Sequence, residues 1–340
     1  MSPAHIMKWT AIVAGIAILC PGASSVQAQQ KLKLAYASVD TTNAVWYVAK
    51  ERGFYQKHGL DVELIFIPSS TTNIAALIAG DVQIANGVAS NVASMAVGGV
   101  TLMMPACFLS TLAYDFVVNE SVKTPADLRG KNIGISRVGS ASDVAAQVFL
   151  RALGLEPNKD VTILQVGGAT ERAAAFNSGS ISGFPSSPGT AYLAKGVRHK
   201  VMMTMNDLPS RYEFPNLCVT VTQSYLKTNR DAVRRAIMAI IEGVHYFKNN
   251  KADSKKLMAK YSRQSNDDYL ESSYLGHTRL CERVPLVGRD GLETQIKAAT
   301  ARKPGATLRA EDIADNSIVQ ELIKNGFIDR LYKNSPAGGG

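Results

Sequence analysis

The residues that could do chemistry in this sequence are small and polar, and they stand in loops that follow apolar strand-like segments. The first loop offers a carboxylate, hydroxyls, an amide and an indole, from Asp40, Thr41, Thr42, Asn43 and Trp46. Hydroxyls and amides suit hydrogen bonding to a solute, and an indole can provide a flat wall. Threonine and asparagine also cap helices, and tryptophan also fills cores, so structural roles are an alternative for this loop.

Two further loops are typical of turns that present backbone amides at the start of a helix. They contain Gly87, Val88, Ala89 and Ser90, and then Arg137, Gly139, Ser140, Ala141 and Ser142. Glycine permits a close approach of the backbone, serine supplies a hydroxyl, and the free N–H groups at a helix start attract anions. Arg137 would strengthen anion binding, and a surface ion pair is its alternative role.

The remaining candidates lie near the ends of later strands. They are Gly168, Gly183, Phe184 and Pro185, with Tyr212, Glu213 and Asn216 as weaker candidates. Phe184 follows the apolar alternation of its strand, so burial in the core competes with lining of a pocket.

No catalytic or metal-binding constellation accompanies these residues. The sequence has no Gly-x-Ser-x-Gly elbow, no His-x-x-x-His pair, no phosphate loop and no Gly-x-Gly-x-x-Gly. Cys107, Cys218 and Cys281 show neither CxxC nor Cys/His spacing. They allow at most one disulfide, and we interpret them as small buried hydrophobes. We therefore expect no catalytic residue, no metal and no cofactor.

Composition excludes several classes of protein. The chain of 340 residues is 46% hydrophobic and 19% charged, which is enough apolar material for a core and excludes a disordered or fibrous protein. Its 37 basic and 28 acidic residues give a net charge of +9. Because the basic residues are dispersed, no nucleic-acid partner is expected. The one long apolar run is at the start, which excludes a polytopic membrane protein.

That start has the pattern of an export signal. His5 and Lys8 precede an uncharged stretch at 9–19, and Val26, Gln27 and Ala28 form a small-residue cleavage site. We predict a signal peptide at 1–28 and a periplasmic mature chain. Lipid attachment at Cys20 is the alternative, which a bulky leucine directly before that cysteine disfavours.

The elements that must position the candidate residues alternate between strand-like and helix-like segments, which predicts an α/β fold with parallel sheets covered by helices. Helices alone follow residue 222. With no linker between two α/β units, we expect the second lobe, 117–221, to be inserted into the first, 29–116 with 222–340. Val118, Asn119, Cys218 and Val219 would form a two-strand hinge. The cleft between the lobes would face the carboxyl ends of both sheets, where α/β proteins bind ligands.

Four sequence segments carry a resemblance to a known family. They are WYVAKERGFY with HGLDV at 46–62, AGDVQIA at 79–85, DLRGKNIG at 127–134 and ALGL at 152–155. In these segments the chain resembles the substrate-binding proteins of ABC importers for nitrate, sulfonate and taurine, together with the related thiamine-pyrimidine group. The resemblance implies a type II periplasmic-binding-protein fold whose two lobes close on a solute and present it to a membrane permease.

These observations together predict an extracytoplasmic, monomeric solute-binding protein. It would capture a small organic solute, such as a sulfonate or carboxylate anion, and deliver it to an ABC permease. A ligand sensor for a receptor would share the same fold and pocket and is the first alternative. A pyrimidine-synthase-like enzyme is the second, although the cysteine-rich motif of those iron-using relatives is absent from this sequence.

Overall fold

The computed structural model describes residues 29–333, in which strands and helices alternate up to residue 222 and helices alone follow. The predicted signal peptide at 1–28, with Cys20, lies outside the described residues, as does 334–340. The described strands are β1 (Gln30–Tyr36), β2 (Leu60–Phe66), β3 (Ile84–Gly87), β4 (Leu102–Thr111), β5 (Asp115–Asn119), β6 (Asn132–Ile135), β7 (Thr162–Gln165), β8 (Gly183–Ser186), β9 (His199–Thr204) and β10 (Glu213–Thr222). The described α-helices are α1 (Ala44–Glu51), α2 (Phe54–Lys57), α3 (Ser70–Ala79), α4 (Ala89–Val97), α5 (Ala141–Ala152), α6 (Ala169–Asn177), α7 (Gln223–Thr228), α8 (Arg230–Asn249), α9 (Lys251–Ser262), α10 (Asp267–Leu280), α11 (Arg289–Thr300), α12 (Ser317–Lys324) and α13 (Phe327–Lys333).

The first sheet has the strand order β2-β1-β3-β10-β4. The strands β1, β2 and β3 are parallel, and β10 runs antiparallel to both of its neighbours. Successive residues of β1 point to opposite faces: Leu34 packs with Val45 of α1, and Ala35 packs with Ile74 of α3. Both faces are therefore covered, and we call this sheet with its helices the first lobe.

The second sheet has the strand order β7-β6-β8-β5-β9, and with its helices it forms the second lobe. Here β6, β7 and β8 are parallel, whereas β5 runs antiparallel to β8 and β9. Phe116 of β5 stacks on Phe149 of α5 with ring centroids 5.6 Å apart. On the other face, Phe184 of β8 meets Phe176 of α6 edge-on at 5.3 Å. Helices thus cover both faces of this sheet as well.

All strands of the second sheet lie between β4 and β10 along the chain, and the two connecting segments are 112–114 and 205–212. The predicted hinge residues lie elsewhere. Val118 and Asn119 are paired inside β5, and Cys218 and Val219 are paired inside β10. The second lobe was also predicted to extend to residue 221. In the structure, β10 hydrogen-bonds to β3 and β4 and therefore belongs to the first sheet. Both sheets are mixed rather than parallel, because β5 and β10 each enter their sheet in the opposite direction to the strands beside them.

The cysteines also depart from the prediction. Cys107 of β4 and Cys218 of β10 are directly opposite in the antiparallel register and form a disulfide. All three of these cysteines are buried as predicted, and among residues 29–333 Cys281 is the one with a free thiol. Distant positions in the sequence become bonded because strand pairing brings them together.

The helices after residue 222 pack mostly on the first lobe. An apolar stripe of α8, which includes Val233, Ile237 and Ile240, is buried against α1 and the first sheet. Across residues 29–333, no helix is both long enough and apolar enough to cross a membrane.

Candidate functional site

A cavity of about 50 Å³ lies where the carboxyl ends of the parallel strands of the two sheets face each other. Its walls come from the segments that follow β1, β2 and β3 in the first lobe and β6 and β7 in the second. A cavity needs only about 10–15 Å³ to hold one water molecule, so this cavity has room for a larger group than one water. This is the size of a small solute or of the head group of a larger one.

In the first lobe, Asp40 dominates the wall. It is buried, and its Oδ1 accepts a hydrogen bond from the Thr42 backbone N–H at 3.0 Å. Its Oδ2 accepts from the Ser187 hydroxyl of the second lobe at 2.7 Å. Asp40 therefore joins the two lobes at the edge of the cavity.

Two asparagines beside Asp40 form a short chain of hydrogen bonds. The Asn43 Oδ1 accepts from the Ala37 backbone N–H at 3.0 Å and from the Asn86 Nδ2 at 2.9 Å. The Asn86 Oδ1 has no hydrogen-bond partner, and neither has the hydroxyl of Ser70, although both residues are buried. Buried polar atoms normally have partners, so these two atoms mark positions at which a ligand would be bound.

In the second lobe, three serines surround the start of α5. The Ser136 hydroxyl donates to the Ser140 Oγ at 2.8 Å, and the Ser142 Oγ accepts from the Ser136 backbone N–H at 2.9 Å. Ser140 is the N-cap of α5, and its Oγ accepts from the Asp143 N–H. The cluster fixes the position of the helix start.

Arg172 of α6 provides the positive charge of the cavity, and it is only 3% exposed. One of its terminal nitrogens donates to the Gly167 carbonyl at 3.1 Å, whereas its Nε has no partner. Burial lowers the pKa of the Arg172 guanidinium, and the nearby Tyr114 and Asp40 act in the opposite direction. A buried guanidinium with a free donor is a strong site for an anion.

Three helices begin at the cavity with residues that line it. They are α3 with Ser70, α5 with Ala141 and Ser142, and α6 with Ala169. The first N–H groups of a helix have no partner within it, and the macrodipole adds partial positive charge there. Together with Arg172, these helix starts favour negative charge in the cavity, and the carboxylate of Asp40 acts against it.

The backbone around the cavity adopts two uncommon conformations. Ser69 and Leu217 line it with φ angles of 79° and 51°, a region that residues other than glycine rarely occupy. Such conformations cluster at binding sites, where the surrounding structure holds them in place. At Leu217 the backbone N–H is bound by the Asn216 Oδ1, which stabilises the turn of the chain into the wall.

The structure brings many of the predicted site residues together in this cavity. Those that line it are Asp40, Thr42, Asn43, Val88, Ser140, Ala141, Ser142, Gly168 and the weaker candidate Asn216. Thr41 lies in the 3-10 turn that precedes α1. The arrangement gives these residues a shared location, and their contact with a ligand stays a prediction.

Other predicted residues have structural positions instead. Trp46 is completely buried in the core, 6.3 Å edge-on from Phe108, because its face of α1 packs on the sheet and not on the cleft. Gly87 is needed where β3 passes β10, since a Cβ there would collide with the Thr220 side chain. Ala89 is buried against the first sheet.

The remaining departures are in the second lobe. Arg137 is exposed and does not line the cavity, because the loop after β6 turns its position outward. Gly183, Phe184 and Pro185 lie inside β8, paired with β5, and Phe184 is fully buried. Strand pairing therefore accounts for all three of these residues.

Ser90 and Gly139 connect the lobes rather than line the cavity. The Ser90 hydroxyl donates to the Gly139 carbonyl at 2.8 Å, and nearby the Thr71 hydroxyl donates to the Val138 carbonyl at 3.1 Å. With the contact between Ser187 and Asp40, these hydrogen bonds hold the two lobes together around the cavity.

Four residues that line the cavity are not among those predicted from the sequence, namely Arg172, Asn86, Ser69 and Ser70. A signal for Arg172 did exist, because it stands with Ala169, Ala173 and Phe176 on the buried face of α6. A charged residue on an otherwise apolar helix face indicates either an ion pair or a ligand site. Within residues 29–333, no group of three or more His, Cys, Asp or Glu side chains could hold a metal ion.

The architecture is that of periplasmic binding proteins. A protein from Bordetella bronchiseptica RB50 superposes with a TM-score of 0.75 at 20% identity, over 89% of this chain and 98% of that one. The nitrate-binding protein NrtA from Synechocystis gives 0.72 at 16% identity, over 91% and 92%. The alkanesulfonate-binding protein SsuA from Xanthomonas axonopodis gives 0.71 at 17% identity, over 84% and 98%. At these identities the likeness establishes the fold.

Sequence comparison adds the family. A protein of Brucella abortus that carries the name of a binding protein is 23% identical over 274 residues, which is 76% of this chain and 80% of that protein. The family model described as NMT1/THI5 like matches residues 40–254, more than half of the chain. The chain therefore belongs to the NMT1/THI5-like family.

Proposed function

We propose that this protein captures a small organic anion in the cavity between its lobes and delivers it, outside the cytoplasm, to the permease of an ABC importer. The observation that carries the proposal is Arg172, which is buried at the cavity with an unpartnered Nε. A buried guanidinium with one unpartnered N–H is costly, and an anionic ligand would supply the missing partner. The helix starts of α3, α5 and α6 favour a ligand of the same sign.

The names of several relatives support solute binding as the function. The structural neighbours NrtA and SsuA are named for binding nitrate and alkanesulfonate, and the Brucella relative carries the name of a binding protein. For this chain the proposal is a sulfonate or carboxylate bound by a periplasmic monomer. The predicted signal peptide at 1–28 supports that location.

The mechanism that we propose is closure of the lobes on the solute. The segments 112–114 and 205–212 would act as the hinge, since they are the two connections between the sheets. In an open form the solute would bind to one lobe first. Contacts from the other lobe then become available, so the solute shifts the population toward the closed form, which the permease would recognise.

The test is a titration calorimetry panel on the chain from residue 29 onward, unfolded and refolded beforehand to remove any co-purified solute. The panel contains short aliphatic sulfonates and carboxylates, nitrate, and the neutral pyrimidine uracil. We expect binding of at least one organic anion and none of uracil. Failure of every organic anion to bind would contradict the proposal.

The matching variant is Arg172→Met, which keeps the aliphatic stem and removes the guanidinium. A hydrogen bond to a charged group contributes about 1.5–3 kcal/mol, so we expect the affinity for the anion to fall about 10–100-fold. Arg137→Met is the control, because Arg137 is exposed and outside the cavity. Equal losses in both variants would count against a direct role of Arg172.

A further inference from the structure

Resting on the proposed function, we infer that the solute carries a hydrogen-bond donor, a hydroxyl or an amine, at the end opposite its anionic group. The inference comes from the side chain of Asn86, which is 4% exposed and lines the cavity. Its Oδ1 has no hydrogen-bond partner. An anion alone would satisfy Arg172 and leave this acceptor unsatisfied.

The orientation of the Asn86 amide follows from its neighbours. The Ala37 backbone N–H can only donate, so the Asn43 atom that it contacts at 3.0 Å must be the oxygen. That same oxygen lies 2.9 Å from the Asn86 amide, so Asn86 must present its nitrogen there. The other amide atom of Asn86 is therefore an acceptor, and the only chemistry that satisfies it is a donor.

The two walls of the cavity have opposite hydrogen-bonding character. The second lobe supplies donors, namely the Arg172 guanidinium and the starts of α5 and α6. The first lobe supplies an acceptor, the unpartnered Asn86 Oδ1, whereas both oxygens of Asp40 already accept hydrogen bonds within the protein. A solute that bridges both walls must be an acceptor at one end and a donor at the other.

The size of the cavity limits the distance between these two ends. A cavity of about 50 Å³ is small, so only a short chain can separate the two ends of the solute. The fit is therefore to a short hydroxy- or amino-substituted sulfonate or carboxylate. Nitrate and plain alkyl anions lack the donor that the first lobe requires.

The experiment compares solutes that share one anionic group and differ only in the group at the other end. We would titrate the protein with propane-1-sulfonate, 2-hydroxyethanesulfonate and 2-aminoethanesulfonate, and with butanoate, 3-hydroxypropionate and 3-aminopropionate, so that a methyl, a hydroxyl and an ammonium occupy the same position. Leaving a buried acceptor unsatisfied weakens binding by about tenfold or more, so in at least one series a hydroxyl or amine member should bind at least tenfold more tightly than the methyl member.

Asn86→Leu is the diagnostic variant. It removes the acceptor without leaving the Asn43 Oδ1 unpartnered, because that oxygen still accepts a hydrogen bond from the Ala37 backbone N–H. We expect this variant to lose the tenfold preference for the hydroxyl or amine member and to bind the methyl member as tightly as the wild type does. Asn177→Leu, at an exposed position of α6, is the control and should keep the preference. If N86L does not fold, as judged by circular dichroism, Asn86→Ala is put through the same comparison.

The outcomes separate this inference from the proposed function. Equal affinity for methyl, hydroxyl and amine members would overturn the requirement for a donor, while solute binding would stand. A preference that survives in N86L would overturn the assignment to Asn86. Absence of binding by all six solutes would overturn the proposed function, and the inference with it.

Discussion

Each polar residue at the cavity either has its partners within the protein or offers a free atom to a solute. Asp40 and the serines around α5 belong to the first kind, since their hydrogen bonds hold loops and lobes in place. Arg172 and Asn86 belong to the second kind. Residue type alone does not distinguish the two kinds, because the same hydroxyls and amides serve in both.

A buried histidine near the cavity gives a prediction about pH. His277 of α10 is fully buried, with its Nδ1 3.2 Å from the Ser273 carbonyl and its Nε2 unpartnered. Burial lowers the pKa of His277, against a smaller opposing effect of the Asp40 charge. The unfolded chain therefore binds a proton that the folded chain excludes, once the pH falls below about 6.5.

We expect the free energy of unfolding to decrease as the pH falls from about 7 toward 5, by at most about 1.4 kcal/mol per pH unit for this one proton. In His277→Gln this slope should flatten, and the part that remains would include His245, whose pKa is also lowered by burial. Urea unfolding at several pH values measures the slope. Parallel curves for the two proteins would contradict the assignment to His277.

At the scale of elements, the pair β4 and β10 holds the first sheet together next to the connections to the second lobe. β4 is the edge strand of its sheet and contains Pro105. Proline has no backbone N–H, and an edge strand tolerates this because it pairs with a neighbouring strand on one side only. β10 is central and antiparallel to both neighbours. The disulfide between them closes a loop that contains the entire second lobe.

Removing this disulfide is expected to destabilise the protein markedly. Cys107 and Cys218 are separated by 111 positions, and the loss of a cross-link over such a loop costs about 2–5 kcal/mol. We predict that a reductant lowers the urea midpoint of the wild-type chain to that of the double variant Cys107→Ala with Cys218→Ala.

The double variant itself is the control, because a reductant should leave its unfolding curve unchanged. Cys281 is free and buried, so alkylation of the denatured, unreduced chain from residue 29 should modify one thiol. Modification of all three cysteines would show that the bond does not form.

At the scale of the whole molecule, direct hydrogen bonds between the lobes enclose the cavity. They connect Ser187 with Asp40, Ser90 with Gly139 and Thr71 with Val138. Because these contacts require the lobes to be close, they contribute to the closed form and not to the open one. Solute affinity and lobe closure should therefore change together.

Ser187→Ala tests this coupling. The variant removes the hydroxyl that donates to Asp40 across the lobes, and a hydrogen bond of about 1 kcal/mol corresponds to about a fivefold loss of affinity for the tightest-binding anion of the panel. Small-angle X-ray scattering should show that the radius of gyration decreases when that anion binds. The variant should require a higher concentration of the anion for the same decrease. Ser178→Ala, remote on the surface, is the control. Scattering curves that do not change with a bound anion would contradict closure.

The sequence by itself determined the periodic features of this protein. The alternation in β1 and the apolar stripe of α8 were predictable because strand and helix periods are local properties of the chain. It also predicted that loops at the carboxyl ends of the strands meet, and Asp40, Asn43 and Ser140 line one cavity in the structure. The strand β4 could not be predicted in this way. Its sequence is a continuous apolar run with a proline and does not alternate between apolar and polar residues.

Only the tertiary structure decided which residues share that cavity and which atoms remain free in it. Arg172 lines the cavity and Arg137 does not, and Trp46 is buried in the core. These positions depend on how each helix is rotated against its sheet, which is set by packing between distant segments. The same long-range pairing formed the disulfide between β4 and β10. The free Oδ1 of Asn86 depends on three residues that are separated by up to 49 positions, and no local pattern contains that information.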